Sequence, residues 1–272
     1  MKILNFFYKP ALIAACLALL TNSVALAASG DLDTTFSGDG KIVQGFGGDS
    51  HLGKDVAVQS NGKIIVVGER DFLDGFGDVT SSDFVIARYN TNGSLDTTFS
   101  GDGRQLINFG TFDMAYSVAI QTDGKIVVSG DTCVFTTNMI CNLAVARLNS
   151  NGSLDTSFSG DGKVTTDING RDNGGGGMTI SGGKIIVAGY SHDGSSYNGA
   201  IYRYTSAGAL DSAFNSPYGI LTIDSVTEDN DVFNSVLVYS GSIYASGESY
   251  SSVASSDFIT TRVFSDGTVD SF

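Results

Sequence analysis

One phrase recurs five times: Leu32-Asp33-Thr34-Thr35-Phe36, Leu95-Asp96-Thr97-Thr98-Phe99, Leu154-Asp155-Thr156-Ser157-Phe158, Leu210-Asp211-Ser212-Ala213-Phe214 and Val269-Asp270-Ser271-Phe272. Its spacings are 63, 59, 56 and 59 residues. Self-similarity at a near-constant period means one supersecondary unit copied along the chain, each copy burying its apolar surface on its neighbours. The copies run approximately over residues 32–94, 95–153, 154–209 and 210–272.

Aligned on that phrase, each copy shows four apolar runs. The first is short: Lys41-Ile42-Val43 and its counterparts at 105–107, 163–165 and 220–222. The second and third flank a tight turn, Asn61-Gly62, Asp123-Gly124, Gly182-Gly183 or Ser240-Gly241. Such dipeptides between apolar runs predict β-hairpins, because a two-residue hairpin turn wants positive φ at both central positions. The fourth run ends on a recurring arginine: Arg88, Arg147, Arg203, Arg262. The third run is apolar at consecutive positions (Ile64 to Val67, Ile185 to Ala188), so both faces of that strand are covered. With 35 Gly, two Pro and no helical apolar spacing beyond the N-terminal segment, the chain is expected to be all-β. Four-stranded sheets covered on both faces and repeated at about 60 residues predict a β-propeller of four blades. A β-solenoid or an open array is the alternative. Five phrases enclose only four strand sets, so either the last copy caps an edge or the chain is a truncated member of a longer array. Gly68, Gly130, Gly189 and Gly247 each close the third run, where a missing side chain admits another backbone.

Residues 1–27 read as a signal peptide: Lys2 and Lys9, an apolar run from Pro10 to Leu20, and the small-residue cleavage pattern Ala25-Leu26-Ala27. Residues 28–272 then form a single repeat domain that is exported to a bacterial periplasm, cell surface or medium. No membrane span remains after cleavage. Ile13-Ala14-Ala15-Cys16 also resembles a lipobox, but the apolar run continues past Cys16, against acylation there. Without its leader the chain has 13 basic and 29 acidic side chains, a net charge near −16. Such a surface repels nucleic acid, and no basic stripe overrides it. Cys133 and Cys141 are expected to form a disulfide in that oxidising setting, worth about 2–3 kcal/mol for so short a loop.

By period-two alternation Arg88, Arg147, Arg203 and Arg262 share a face with apolar residues and need partners. Asp96, Asp155, Asp211 and Asp270 of the recurring phrase are expected to supply structural ion pairs. Asn90, Asn92 and Asp96, and likewise Asn149, Asn151 and Asp155, place oxygens at alternating positions round a turn glycine, as calcium loops do. With one charged ligand per loop, turn chemistry is the simpler reading, and no cofactor is expected.

The hairpin Val56-Ala57-Val58-Gln59-Ser60-Asn61-Gly62-Lys63-Ile64-Ile65-Val66-Val67-Gly68, followed by Ala87-Arg88-Tyr89-Asn90-Thr91-Asn92-Gly93-Ser94-Leu95-Asp96-Thr97-Thr98-Phe99, resembles the bacterial delta-60 repeat, a β-propeller repeat family. The resemblance covers essentially residues 30–272, with copies three and four drifting. It implies an exported propeller-like protein and carries no catalytic residue.

Catalytic patterns are scarce. The two histidines, His51 and His192, lie in irregular stretches, and Gly174-Gly175-Gly176-Gly177 lacks the ending of a phosphate loop. Connections between third and fourth runs vary most, from Glu69 to Ser82, Asp131 to Asn142, Tyr190 to Asn198 and Glu248 to Ser256. They carry Phe72, Phe76, Phe135, Tyr190, Tyr197 and Tyr250, the candidate ligand-binding aromatics. The function expected is a non-enzymatic binding or scaffold module for protein or carbohydrate. The rivals are a propeller-type hydrolase or lyase acting on extracellular sugars or peptides at the axis, and a calcium-stabilised surface protein.

Overall fold

The computed structural model describes residues 30–47, 50–135, 139–225, 230–250 and 256–270. The leader expected over residues 1–27, with Cys16, lies outside them, as do Ser271 and Phe272 of the last phrase. All regular structure among the described residues is β-strand, arranged as antiparallel meanders, the first two joined by a single parallel bridge between Ser82 and Phe112. Blade 1 contains β1 (His51–Val58), β2 (Ile64–Leu73), β3 (Val79–Tyr89) and β4 (Arg104–Ile107). Blade 2 contains β5 (Phe112–Ile120), β6 (Ile126–Phe135), β7 (Met139–Leu148) and β8 (Lys163–Thr166). Blade 3 contains β9 (Asn173–Ser181), β10 (Lys184–His192), β11 (Tyr197–Tyr204) and β12 (Ile220–Ile223). Blade 4 has three strands, β13 (Asn230–Tyr239), β14 (Ser242–Tyr250) and β15 (Asp257–Val263).

The blades are out of phase with the sequence copies. The short run after each phrase joins the preceding blade: β4 pairs with β3, β8 with β7 and β12 with β11. Each outermost strand is therefore lent backward by the next copy, which ties adjacent copies by backbone hydrogen bonds. Lys41-Ile42-Val43, expected as a strand, forms none: among the described residues no blade precedes blade 1 to offer it an edge. The hairpin turns also differ from expectation in the first two copies. Asn61 and Asp123 keep negative φ, and only Gly62 (φ 81°) and Gly124 (φ 84°) are left-handed, so a one-residue-longer turn replaces the two-residue form. Gly182-Gly183 and Ser240-Gly241 do have positive φ at both positions.

The consecutive apolar residues divide between two interfaces. Ile126 and Val128 of β6 pack toward blade 1 with Ile65, Phe84 and Ile86, whereas Val127 packs toward blade 3 with Ile185 and Tyr202. Ile186 and Ile201 then meet Phe233 and Val236 of blade 4. Each such fully buried side chain contributes roughly 1.5–3 kcal/mol. Blade thus packs on blade face to face, in the order 1–2–3–4, and not as the parallel rungs of a solenoid. No comparable packing joins blade 4 to blade 1 among the described residues, so the ring is an open arc.

A polar clasp accompanies each apolar interface. Arg88 Nε donates to Asp96 Oδ2 at 2.6 Å, Arg147 Nε to Asp155 Oδ2 at 2.7 Å and Arg203 Nε to Asp211 Oδ2 at 2.8 Å. Arg262 pairs with Asp270. The first three guanidinium groups lie over the buried rings of Phe99, Phe158 and Phe214 and donate to a turn carbonyl of the following blade, that of Ser150, Ser206 and Ser265. Lys63, Lys125 and Lys184 bring a second cation to the same carboxylates, at 2.6, 3.1 and 3.0 Å. Burial alone would raise these acids, but the lysine and arginine partners, joined by the hydroxyls of Thr98 and Ser157 at Asp96 and Asp155 and by the Ala213 N–H at Asp211, outweigh it and hold all three below the usual carboxylate range.

Candidate functional site

Every inner strand carries the same β-bulge. In β1 the extra residue is Lys54, in β5 Tyr116 and in β13 Asn234, while in β9 Gly176 and Gly177 together oppose Ala188. A bulge bends its strand and re-aims a side chain. The recurring third-run glycines make it sterically feasible. A Cβ on Gly68, Gly130, Gly189 or Gly247 would lie 1.8–1.9 Å from the carbonyl oxygen of Leu52, Met114, Gly174 or Val232. These glycines sit inside β2, β6, β10 and β14, not at their ends as the sequence suggested, because the strands continue past them.

The four bulges converge on one cleft of ≈ 540 Å³ at the axis of the arc. Lys54 and Asp55 line it from blade 1, Tyr116, Ser117 and Asp131 from blade 2, Gly175 to Gly177 and Tyr190 from blade 3, and Val232 to Asn234 from blade 4. The glycine run of β9 is explained here. Side chains at Gly176 and Gly177 would meet the Phe233 and Asn234 carbonyl oxygens at 2.8 and 2.9 Å, and at Gly174 and Gly175 would meet Asp131 and Leu143.

Asp131 is the most perturbed acid of the cleft. It is 4% exposed, and its Oδ1 accepts the Gly175 N–H at 2.7 Å. Burial pushes its pKa up to about 8, the Asp172 charge adds to the rise, and the Gly175 bond opposes it only in part. At neutral pH the group is a neutral carboxylic acid. Burial likewise raises Tyr116 and Tyr190, with Asp131 contributing to both. Behind the cleft Lys54 Nζ lies 3.3 Å from Glu69, and Asp55 accepts from Ser117 Oγ and Val118 N, at 3.1 and 2.8 Å. The cleft therefore presents hydroxyls, an amide, a neutral acid and aromatic rings, with its charges already engaged.

Of the six candidate aromatics only Tyr190 reaches this cleft. Tyr197 stacks edge-on against it at 5.5 Å and donates its hydroxyl to Asp172 Oδ2 at 2.8 Å, and burial first, then Asp172, pushes its pKa up to about 12. Phe72 lies under Arg70 at 4.7 Å, Phe76 stands exposed at a hairpin tip, Phe135 is exposed at the end of β6, and Tyr250 ends β14. The expected loops are largely strand: β2–β3, β6–β7 and β10–β11 run on as long hairpin arms, so their aromatics spread along the arms and do not meet in one concavity. Cys133 and Cys141 face each other across β6–β7 in a disulfide, on a strand ladder and not in a loop.

The calcium candidates hold each other and the backbone. Asn92 Oδ1 accepts from Ser94 N and Oγ, Asn90 Nδ2 donates to Ser94 Oγ, and Asn149, Asn151 and Ser153 repeat the arrangement. Asp96 and Asp155, each already carrying two cationic partners, do not join them in a cage. His192 Nδ1 accepts from Gly194 N, and Asp193 accepts from Ser195 N and Ser196 N, so these neighbours form a local turn and not a nucleophilic triad. Sequence reasoning missed Lys63, Lys125 and Lys184, although each recurs directly after a hairpin turn. It also missed Tyr116, Asp131 and Asn234 as a group, because they lie on three different strands, two in blade 2 and one in blade 4.

Three stretches of the chain, residues 59–99, 121–158 and 182–214, match the family model described as a domain of unknown function (DUF5122) beta-propeller. The chain is an all-β repeat protein of the β-propeller kind. No curated protein matches it in sequence. Among solved structures it is similar to a protein of unknown function from Dyadobacter fermentans, with 13% identity over 81% of this chain and 68% of that one and a TM-score of 0.55. It is more distantly similar to a GH43_1 enzyme from Xanthomonas citri (13% identity, 80% and 70% covered, TM-score 0.43) and an alpha-L-arabinofuranosidase from Lactobacillus brevis (12%, 79% and 73%, TM-score 0.41). At these scores the two enzymes carry no inference about this chain's activity.

Proposed function

We propose that the chain is an exported binding module of the delta-60-repeat kind that takes an uncharged, hydroxyl-rich ligand, a glycan, in its axial cleft. The observation that carries this reading is the convergence of one bulge per blade on a single concavity, with a phenol from Tyr116, an amide from Asn234 and a neutral Asp131 pointing to the same class of ligand. Hydroxyl groups suit such donors and acceptors, and an aromatic ring offers a face for sugar C–H groups. Export is supported by the leader-like residues 1–27 and by the Cys133–Cys141 disulfide. A glycan array followed by calorimetry on the leaderless chain tests it. Tyr116→Ala and Asn234→Ala should each weaken a glycan hit at least tenfold while the circular dichroism stays unchanged. Absence of any hit, or a hit indifferent to both substitutions, refutes the cleft as the site.

One observation favours a second reading. A carboxyl held neutral at pH 7 is what a general acid requires, and Glu69 near the same cleft is a second carboxyl. In that case the chain cleaves its glycan, reducing ends appear on incubation, and Asp131→Asn abolishes their release while leaving binding in place.

A further inference from the structure

Among the described residues the arc leaves two apolar faces uncovered, and the repeat states what fits them. The residue four before each clasp arginine faces the following blade: Phe84 and Leu143 are both 0% exposed, and at Gly199 the ring of Phe233 from blade 4 fills the space. The equivalent residue of blade 4 is Phe258, which is 101% exposed. On the opposite end, Val118 and Val236 are 7% and 9% exposed against the preceding blade, whereas their counterpart Val56 is 58% exposed. Val58 beside it is also exposed, and a groove of ≈ 440 Å³ runs over this face of blade 1. The backbone edges match as well. No strand pairs with the outer edge of β15 among the described residues, and Lys41–Val43, which follows its phrase at the same distance as β4 and β8 follow theirs, pairs with no strand.

We propose that a second copy of this chain covers both surfaces: blade 4 of one copy seats on blade 1 of the next, and Lys41–Val43 of that next copy adds to the edge of β15. The occupant is argued from continuity. Interfaces 1–2, 2–3 and 3–4 are versions of one face-to-face contact, and the two end faces are its two halves, so the surface complementary to each is already present on this chain. The contact is heterologous, joining two different patches and not one patch to itself.

Light scattering on size-exclusion peaks of the leaderless chain, over a hundredfold range of concentration, tests this. The mass should rise with concentration to at least twice that of the monomer. Phe258→Asp and Val58→Asp alter exposed side chains, so their circular dichroism should match the parent, yet each alone should run as a monomer. An equimolar mixture should give dimers and nothing larger, since the first variant keeps an intact blade 1 face and the second an intact blade 4 face. A parent chain that stays monomeric throughout overturns the proposal. So does a single variant that leaves the mass unchanged, or a mixture that remains monomeric.

Discussion

Replacing Asp131 by Asn should remove a pH dependence of stability that runs opposite to that of an ordinary buried acid pair. The carboxyl has a pKa near 8 in the folded chain, against 3.8 when unperturbed, chiefly because burial penalises its charged form. Between about pH 4 and pH 8 the folded state therefore keeps a proton that the unfolded state has released. Stability is highest below the unfolded pKa and falls as pH rises, by up to about 1.4 kcal/mol per pH unit for a single site. Asn keeps the oxygen that accepts from Gly175 N–H and has no proton to lose. Parent and variant should be nearly equal in stability at pH 4, and the variant should be more stable by a few kcal/mol at pH 8. Urea unfolding of both proteins at half-unit steps from pH 4 to pH 9 measures the difference, and contributions from all other acids cancel in it. A difference that stays flat over this range would mean that Asp131 titrates normally and is ionised at neutral pH, and the chemical picture of the cleft would fail with it.

Arg147→Met removes the ion pair to Asp155, the bond to the Ser206 carbonyl of blade 3 and the stacking on Phe158. Breaking a buried pair costs about 3–5 kcal/mol, and the lower end is expected because Lys125 stays on Asp155; a loss below about 1 kcal/mol in urea unfolding would show that the clasp is ornamental. Because the clasp acids are held low in the folded chain, their stabilisation is present above the unfolded carboxylate pKa and lost as pH falls through the folded one; acid unfolding of Asp155→Asn should accordingly be shallower than that of the parent. Gly130→Ala drives a Cβ to 1.9 Å from the Met114 carbonyl and should cost at least about 3 kcal/mol. Gly160→Ala meets nothing within 4 Å and carries only the strain of φ 94°, about 1–2 kcal/mol; equal losses at the two sites would refute the bulge argument. Reducing Cys133–Cys141 should lower stability by about 2 kcal/mol, read as a shift of the urea midpoint with dithiothreitol.

Local chemistry was legible from the amino acids alone. A turn glycine, an alternating arginine and a phrase-bound aspartate recur at fixed offsets, and short offsets bring groups together whatever the tertiary arrangement. Arg88 and Asp96 are eight residues apart, on the strand and the turn that closes it, so their meeting needed no knowledge of other blades. Consecutive apolar residues in β2 and β10 likewise announced two covered faces, and from that the stacking of sheets followed. The partition of strands among blades was not legible. Lys163–Thr166 reads equally well as the start of its own copy or the end of the previous one, and only the β7–β8 pairing decides. The cleft was hidden for the same reason. Lys54, Tyr116, Gly176 and Asn234 have no chemistry in common, and what unites them is a backbone bulge opposite a glycine, a property of pairing register that one strand's sequence does not express. Repetition along the chain therefore determined the unit and its internal bonds, because those depend on near neighbours. The axis, the cleft and the two uncovered end faces were decided in three dimensions, because each depends on how separate units are set beside one another.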